Sequence, residues 1–228
     1  MRHRFGIVTL TQNEPLYNYM DGYKRQQYAG LPHVFIYNEP NDDRPKAETD
    51  LIYRSSRQHF AGSPMMIEKF VWFLKTHADT PPWNSCSHFV RANSSTFLNL
   101  PLLERAIEAL PTTACYAGSI NGGKFVSGTC IILSRDAAAR LVDYYRWHAW
   151  RRSRTEDDLV IAKAMRKKHV SMTDIPMRLL VDGSVPSESE AQNILEHYPL
   201  IRVRNDVDRM RVDRAIWDAL YRCSRPPI

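Results

Sequence analysis

The chain has 228 residues, 43% of them hydrophobic and 25% charged, which is ordinary for a globular protein with a continuous core. Lys and Arg number 31 against 25 Asp and Glu, so the formal net charge is +6. This surplus favours anionic partners, namely nucleotides, phosphosugars, nucleic acid or an anionic membrane surface, and does not choose among them. Every apolar run is too short for a signal peptide or a membrane span, which excludes an integral membrane protein.

The four cysteines, Cys86, Cys115, Cys130 and Cys223, include no closely spaced pair, so the spacing typical of a zinc site is missing. We expect reduced thiols in a soluble, cytoplasmic protein, with Cys115 and Cys130 buried in strands. Peripheral contact with a membrane stays open.

Strands and helices alternate in the first hundred residues. Predicted strands cover 6–11, 33–37, 51–53 and 88–90, and predicted helices cover 16–28 and 65–77. The polar, proline-containing segment 38–49 is predicted to be a loop. Strand, helix and strand at this spacing predict a parallel sheet.

The pattern continues in the second half of the chain. Helices are predicted at 101–110, 135–150, 155–168 and 212–221, strands at 115–120 and 125–133, and a loop at 182–190. No repeat, low-complexity stretch or linker divides the chain. We therefore predict one α/β domain over residues 1–228.

Three segments could carry chemistry. The first is 91–96, Arg-Ala-Asn-Ser-Ser-Thr, directly after a predicted strand. Ligands of open α/β sheets bind beyond the carboxyl ends of strands, where small polar side chains can hydrogen-bond a ribose or phosphate. The alternative is a turn in which Ser94, Ser95 or Thr96 begins a helix as its N-cap.

The second segment is 124–129, in which Ser127 and Gly128 interrupt an apolar strand. A glycine there indicates either close approach of a ligand or another backbone, or a β-bulge.

The third segment is Glu156-Asp157-Asp158, after the basic and aromatic run 146–154. Carboxylates in a first helical turn stabilise the helix dipole, and one of them could also serve as a general base. In that case Trp147 or Trp150 could stack on a sugar. The basic run is typical either of a solvated face or of a nucleic-acid patch, and no recognised nucleic-acid motif accompanies it.

Several motifs are missing from the sequence. No Gly-x-Gly-x-x-Gly follows the first strand, there is no phosphate loop, and there is no Gly-x-Ser-x-Gly elbow. These absences disfavour a dinucleotide-binding fold, a nucleoside triphosphatase and an α/β hydrolase.

Four segments in this order resemble the β-1,3-galactosyltransferase and fringe-like group of GT-A glycosyltransferases, together with related small bacterial and viral transferases. Segment 93–99, Asn-Ser-Ser-Thr-Phe-Leu-Asn, is similar to the family's Asp-Asp-Asp-Val-Phe-Val-Asn, and 116–118 is its Tyr-Ala-Gly. Segment 125–134 is similar to its Tyr-Cys-Ser-Gly-Gly-Gly-Tyr-Val-Leu-Ser, and 156–162 to its Glu-Asp-Val-x-Val-Gly.

The resemblance implies a single GT-A-like, Rossmann-like domain with a mixed central sheet flanked by helices. Residues 1–100 would form the nucleotide-binding half and 101–228 the acceptor-side half. It also implies an inverting transferase whose base is Asp158 or, with the motif aligned one residue earlier, Asp157.

The resemblance further implies a nucleotide-sugar donor, with uridine diphosphate as the nucleotide because these families commonly use it, and a glycan or glycolipid acceptor. The implied binding residues are Thr9, Thr11, Asn13, Asn38, Arg91, Asn93, Ser94, Ser95, Ser127, Gly128, Arg202 and Arg204.

The sequence departs from the family where the family binds its metal. Asn93, Ser94 and Ser95 stand in place of the acidic triplet, and neutral oxygens bind hard divalent cations far more weakly than carboxylates do. We therefore expect protein cations to neutralise the diphosphate, the candidates being Arg91, Lys124, Arg202 and Arg204. His197 is a further phosphate or metal candidate, and a structural histidine is the simpler interpretation.

The leading hypothesis is a glycosyltransferase. The alternatives are a non-catalytic binding module for nucleotide sugars or glycans, favoured by the missing triplet, and a basic nucleic-acid-binding protein. The charge surplus and the run around Trp147 support the last of these, but we do not expect nucleic acid as a partner.

Overall fold

The computed structural model describes residues 4–12, 14–38, 47, 50–54, 65–147 and 157–224. Its helices are α1 (Pro15–Gln27), α2 (Met65–Thr76), α3 (Leu100–Glu108), α4 (Arg135–Trp147), α5 (Asp157–Lys167), α6 (Glu188–His197) and α7 (Arg209–Ser224). Its strands are β1 (Phe5–Leu10), β2 (His33–Asn38), β3 (Leu51–Tyr53), β4 (His88–Asn93), β5 (Thr96–Leu98), β6 (Tyr116–Gly118), β7 (Ile120–Asn121), β8 (Phe125–Val126), β9 (Cys130–Ser134), β10 (Met172–Asp174), β11 (Met177–Leu180) and β12 (Leu200–Val203).

The central sheet has seven strands in the order β10-β6-β9-β4-β1-β2-β3 within the described residues. Strands β3, β2, β1 and β4 are parallel, and β6 is parallel to β10. Strand β9 runs antiparallel between β4 and β6, so the sheet is mixed. A second sheet has the order β11-β12-β5, and β7 pairs with β8 as a hairpin.

Helices cover both faces of the sheet because successive residues of a buried strand point to opposite sides. All six residues of β1 are buried. Val8 and Leu10 pack in the cluster that includes α2, α4 and α5, whereas Phe5 and Ile7 pack on the side of α3. The predicted fold class, a single Rossmann-like α/β domain with a mixed sheet flanked by helices, is confirmed.

The carboxyl ends of β1, β2 and β4 meet at one edge of the sheet. Leu10 at the end of β1 lies beside Asn93 at the end of β4, and Ala92 pairs with Cys130 at the start of β9. The second sheet reaches this edge through the main-chain N–H of Val203, which donates to the carbonyl of Ser95 at 3.0 Å.

The structure differs from the sequence predictions at three places in segment 91–96 and the later chain. Strand β4 runs to Asn93, so Arg91 and Asn93 lie inside it, held between β1 and β9. The following turn leads into β5 and does not begin a helix. The predicted loop 182–190 contains the start of α6, where Ser187 and Glu190 form a capping box that pairs otherwise free backbone N–H groups.

Strands β10 and β11, like β12, were not assigned from the sequence, since each is only three or four residues long. No helix among the described residues has both the length and the apolarity needed to cross a bilayer.

Gly118 at the end of β6 provides a test of this packing. Its φ is +144°, and a Cβ there would lie 2.4 Å from the carbonyl oxygen of Cys130 on the neighbouring β9. Because that obstacle is backbone, we expect Gly118→Ala to lower the free energy of unfolding by more than about 2 kcal/mol. Urea denaturation measures the change.

The matched control is Gly22→Ala in α1, where a Cβ meets nothing within 4 Å. There alanine should stabilise the protein by about 0.5–1 kcal/mol, since glycine loses more backbone entropy in a helix. Equal effects of the two substitutions would contradict the described packing at β6 and β9.

Candidate functional site

A buried arginine joins three elements at the sheet edge. Arg91 on β4 is only 1% exposed, and its guanidinium donates to the carbonyl of Gly128 through Nη1 and to the carboxylate of Asp157 through Nη2. The ion pair with Asp157 and the hydrogen bond to Gly128 replace the interactions with water that the guanidinium loses on burial. Its Nε is buried without a hydrogen-bond partner.

Two carboxylates begin α5, and they have different surroundings. Asp157 pairs with Arg91 and is 19% exposed at its side chain. Asp158 accepts the N–H of Gly128 on Oδ2 at 3.1 Å and the N–H of Leu159 on Oδ1 at 2.8 Å. No cation among the described residues forms a salt bridge with Asp158, whereas Asp157 is paired with Arg91.

Gly128 lets these groups converge. A Cβ there would lie 3.2 Å from Nη1 of Arg91 and 3.4 Å from oxygens of both Asp157 and Asp158. The structure thus brings together four predicted residues, Arg91, Gly128, Asp157 and Asp158. The sequence indicated that a glycine here could allow a close approach. The groups that approach Gly128 are charged side chains of the same chain.

The turn after β4 contains polar atoms without partners. Ser94 and Ser95 are each 3% exposed, and neither Oγ of Ser94 nor Oδ1 of Asn93 has a hydrogen-bond partner. A buried polar group without a partner costs about 1–3 kcal/mol, so such groups gathered at one place are typical of a ligand site.

A lysine that sequence reasoning missed lies beneath this turn. Lys24 of α1 is fully buried, and its Nζ donates to the main-chain carbonyl of Asn93 at 2.9 Å. Burial lowers the pKa of Lys24 to about 8, although the nearby carboxylate of Asp21 acts in the opposite direction. A signal existed, because Lys24 follows the buried Leu16 and Met20 at four-residue spacing.

Arg202 and Arg204 lie on the other side of the turn. Val203 between them is bonded to Ser95, and Arg202 is opposite Thr96 in the register of β12 and β5. Nη1 of Arg202 is buried without a partner. Burial lowers the pKa of Arg202 to about 10, and the positive charges of Arg204, Arg91 and Arg209 contribute in the same direction.

We call Lys24, Arg91, Arg202 and Arg204 the cationic cluster. Arg202 interacts electrostatically with the other three residues, since its charge also lowers the pKa of Lys24. Asp157 is the only carboxylate among the described residues that forms a salt bridge with any of the four. The cluster therefore carries excess positive charge next to unpaired hydrogen-bonding groups.

The donor set at the turn does not fit a divalent metal. The side chains are an amide and two hydroxyls, and the carbonyl of Asn93 already accepts from the ammonium of Lys24. Within the described ranges, no three His, Cys, Asp or Glu side chains are grouped so as to hold a metal ion. An anion fits these surroundings better than a cation does.

The two threonines predicted to bind the nucleotide are buried at the carboxyl end of β1. Thr9 and Thr11 are fully buried, and the Oγ1 of Thr9 has no partner. Thr11 donates to Asp21 at 2.6 Å, and its carbonyl accepts from Nζ of Lys69 at 2.7 Å.

The remaining predicted residues are spread over several elements. Asn38 is the last residue of β2, and Asn13 lies outside the described residues. Ser127 donates to the hydroxyl of Thr129 at 3.0 Å. His197 ends α6, and its Nδ1 lies 2.8 Å from the carbonyl of Asn193, which is a structural role.

Lys124 lies in the turn between β7 and β8 and not in the cationic cluster. Most of the basic run 146–154, including Trp150, lies outside the described residues, as do the side chains of Arg146 and Trp147.

Comparison with known proteins places the fold. No family model matches the sequence, and no curated protein shows a significant match. Among solved structures, a glycosyltransferase involved in the glycosylation of the major capsid of PBCV-1 matches with a TM-score of 0.54 and 10% identity. The match covers 92% of this chain and 98% of that one, so the similarity in fold extends over nearly all of both chains.

The lowered pKa of Lys24 predicts how the stability of the protein depends on pH. The pKa of Lys24 is about 8 in the folded protein and near 10.5 when exposed, so the unfolded chain holds the proton more tightly between these values. Stability must therefore rise with pH across this interval, by at most about 1.4 kcal/mol per pH unit. Lys24→Met lacks this titrating group. The free energy of unfolding of the wild type should therefore increase relative to that of the variant between pH 8 and 10.

Chemical denaturation of both proteins at these pH values measures the difference. Lys75→Met is the control, since Lys75 is exposed in the same kind of helix. A wild-type advantage that stays constant with pH would show that Lys24 keeps its charge throughout.

Proposed function

We propose that the protein is a glycosyltransferase that moves a sugar from a nucleoside diphosphate donor to a hydroxyl of a glycan or glycolipid. The observation that carries this proposal is the cationic cluster around the turn of Asn93, Ser94 and Ser95. A diphosphate supplies the negative charge and the acceptor oxygens that the unpartnered N–H groups of Arg91 and Arg202 lack. The fold shared with a solved glycosyltransferase supports it.

The donor would lie across the carboxyl ends of the parallel strands, where α/β sheets bind ligands. Arg202 on β12 and Arg204, which directly follows that strand, would clamp the diphosphate, with Lys24 adding positive charge from below the turn. The hydroxyls of Ser94 and Ser95 suit ribose or phosphate oxygens. The nucleoside, uridine in this proposal, would extend toward the ends of β1 and β2, near Thr9, Thr11 and Asn38.

Asp158 is the proposed general base. Asp157 is paired with Arg91, whereas no cation among the described residues forms a salt bridge with Asp158. The acceptor hydroxyl would transfer its proton to Asp158 as its oxygen attacks the anomeric carbon. The bond from that carbon to the diphosphate breaks on the opposite side, so the configuration inverts, and the cluster stabilises the charge that develops on the leaving group.

Ser127 and Gly128 would border the transferred sugar, because Gly128 contacts both Arg91 on the donor side and Asp158 on the acceptor side. Arg91 would then have two tasks, which are to fix Asp157 and to present its free Nε toward the donor.

A non-catalytic binding module is the second candidate. It is favoured by one observation, namely that both carboxylates of α5 are hydrogen-bonded by the protein itself. Such a module would bind the same donor through the cationic cluster without turning it over.

Asp158→Asn separates the two candidates. If Asp158 is the base, this substitution should lower kcat for sugar transfer by about 100-fold or more. Donor affinity should stay within about twofold of the wild type, since Asp158 is assigned to the acceptor side. Single-turnover transfer and titration calorimetry give the two quantities.

The exposed Asp143→Asn in α4 serves as the control and should behave as the wild type. Asp157→Asn should instead reduce both stability and donor affinity, because it leaves Arg91 buried without its carboxylate. Full transfer activity in Asp158→Asn would remove Asp158 as the base, and donor binding without turnover in the wild type would favour the binding module.

A further inference from the structure

A cavity lies along α5, on the side of the turn between β7 and β8. Its volume is about 820 Å³, and its walls come from α5, the turn between β7 and β8, Tyr116 of β6 and the start of β10. A volume of this size accommodates a sugar and part of a second unit.

The cavity lies next to the candidate base, since Leu159 in its lining directly follows Asp158. Ala162 and Arg166 in its wall follow Asp158 at four-residue spacing, which places all three on one face of α5. Tyr116 in the wall accepts the N–H of Val126 at 3.1 Å. Its hydroxyl also senses the charges of Asp157, Asp158 and Arg91, and together with burial the carboxylates raise the pKa of Tyr116.

The lining combines basic and apolar side chains. Lys124 and Arg166 face the cavity together with the ring of His169. Within the described part of the chain, neither Lys124 nor Arg166 pairs with a carboxylate, and no Asp or Glu lines the cavity. Phe125 and Leu159 supply apolar surface that suits the face of a sugar ring.

We infer that this cavity binds the acceptor, and that the acceptor carries an anionic group, a carboxylate or a phosphate, which Lys124 and Arg166 hold. The inference rests on the proposed function, because an acceptor is defined by the transfer reaction. The anionic group would lie toward the end of α5, and the reacting hydroxyl toward Asp158. An anionic group would give Lys124 and Arg166 the charged partner that neither has among the described residues.

Binding of matched glycosides tests this inference in the absence of donor. The probes are the 4-nitrophenyl glucuronide, galacturonide and 6-phosphoglucoside, each compared with its neutral counterpart by titration calorimetry on the full chain. We expect at least one acidic probe to bind about tenfold or more tightly than its neutral form. Equal affinities in all three pairs would overturn the inference.

Substitutions locate the site. Arg166→Gln and Lys124→Gln should each weaken the favoured acidic probe by about fivefold or more and leave its neutral counterpart unchanged. Lys163→Gln is the matched control, because Lys163 is an exposed cation of α5 outside the cavity. If Lys163→Gln weakens binding as much as Arg166→Gln does, the effect is that of net charge and the inference is wrong.

Inorganic phosphate distinguishes an acceptor from a small anion. If phosphate alone binds as tightly as the acidic glycosides, the cavity is a small-anion site and the acceptor assignment is wrong. Failure of the proposed function has a different signature, which is loss of nucleotide-sugar binding with acidic-glycoside binding intact. If the protein transfers sugar from the donor to neutral and acidic acceptors at equal rates, only the inference about the acceptor is wrong.

Discussion

The buried guanidinium of Arg91 determines the geometry of the candidate site. It lies in the middle of the mixed sheet and bonds at once to the carbonyl of Gly128 and to Asp157 at the start of α5. Strand β4, the β8–β9 junction and helix α5 are thereby tied at one point. Asp158 is placed by the same bonds, since its partner is the N–H of Gly128. Removing the guanidinium would release the carboxylates and the glycine together.

Charge imbalance is the second constraint, and it links structure to function. The cationic cluster brings Lys24, Arg91, Arg202 and Arg204 within electrostatic range of a turn whose own side chains are neutral. Desolvation and mutual repulsion already depress the pKa values of Lys24 and Arg202, so the free protein holds this arrangement at an energetic cost. Binding a polyanion would relieve that repulsion, so the proposed diphosphate suits this site.

Much of this was predictable from the sequence, and the remainder depends on long-range contacts. Glycine in an apolar strand and adjacent carboxylates at a helix start indicated Gly128, Asp157 and Asp158, because those signals are local. The spacing of Lys24 in its helix indicated burial, but its contact could not be predicted, since its partner Asn93 is far away in the chain. The short strands that bring Arg202 to Ser95 carry too few residues for a clear pattern.

The affinity for uridine diphosphate, titrated in EDTA and again in excess manganese, tests the central claim most directly. If the cationic cluster neutralises the diphosphate without a metal ion, the two affinities agree within about twofold, and Arg202→Gln weakens both by about tenfold or more. Affinity that rises by tenfold or more with manganese, and is indifferent to Arg202, would contradict the account.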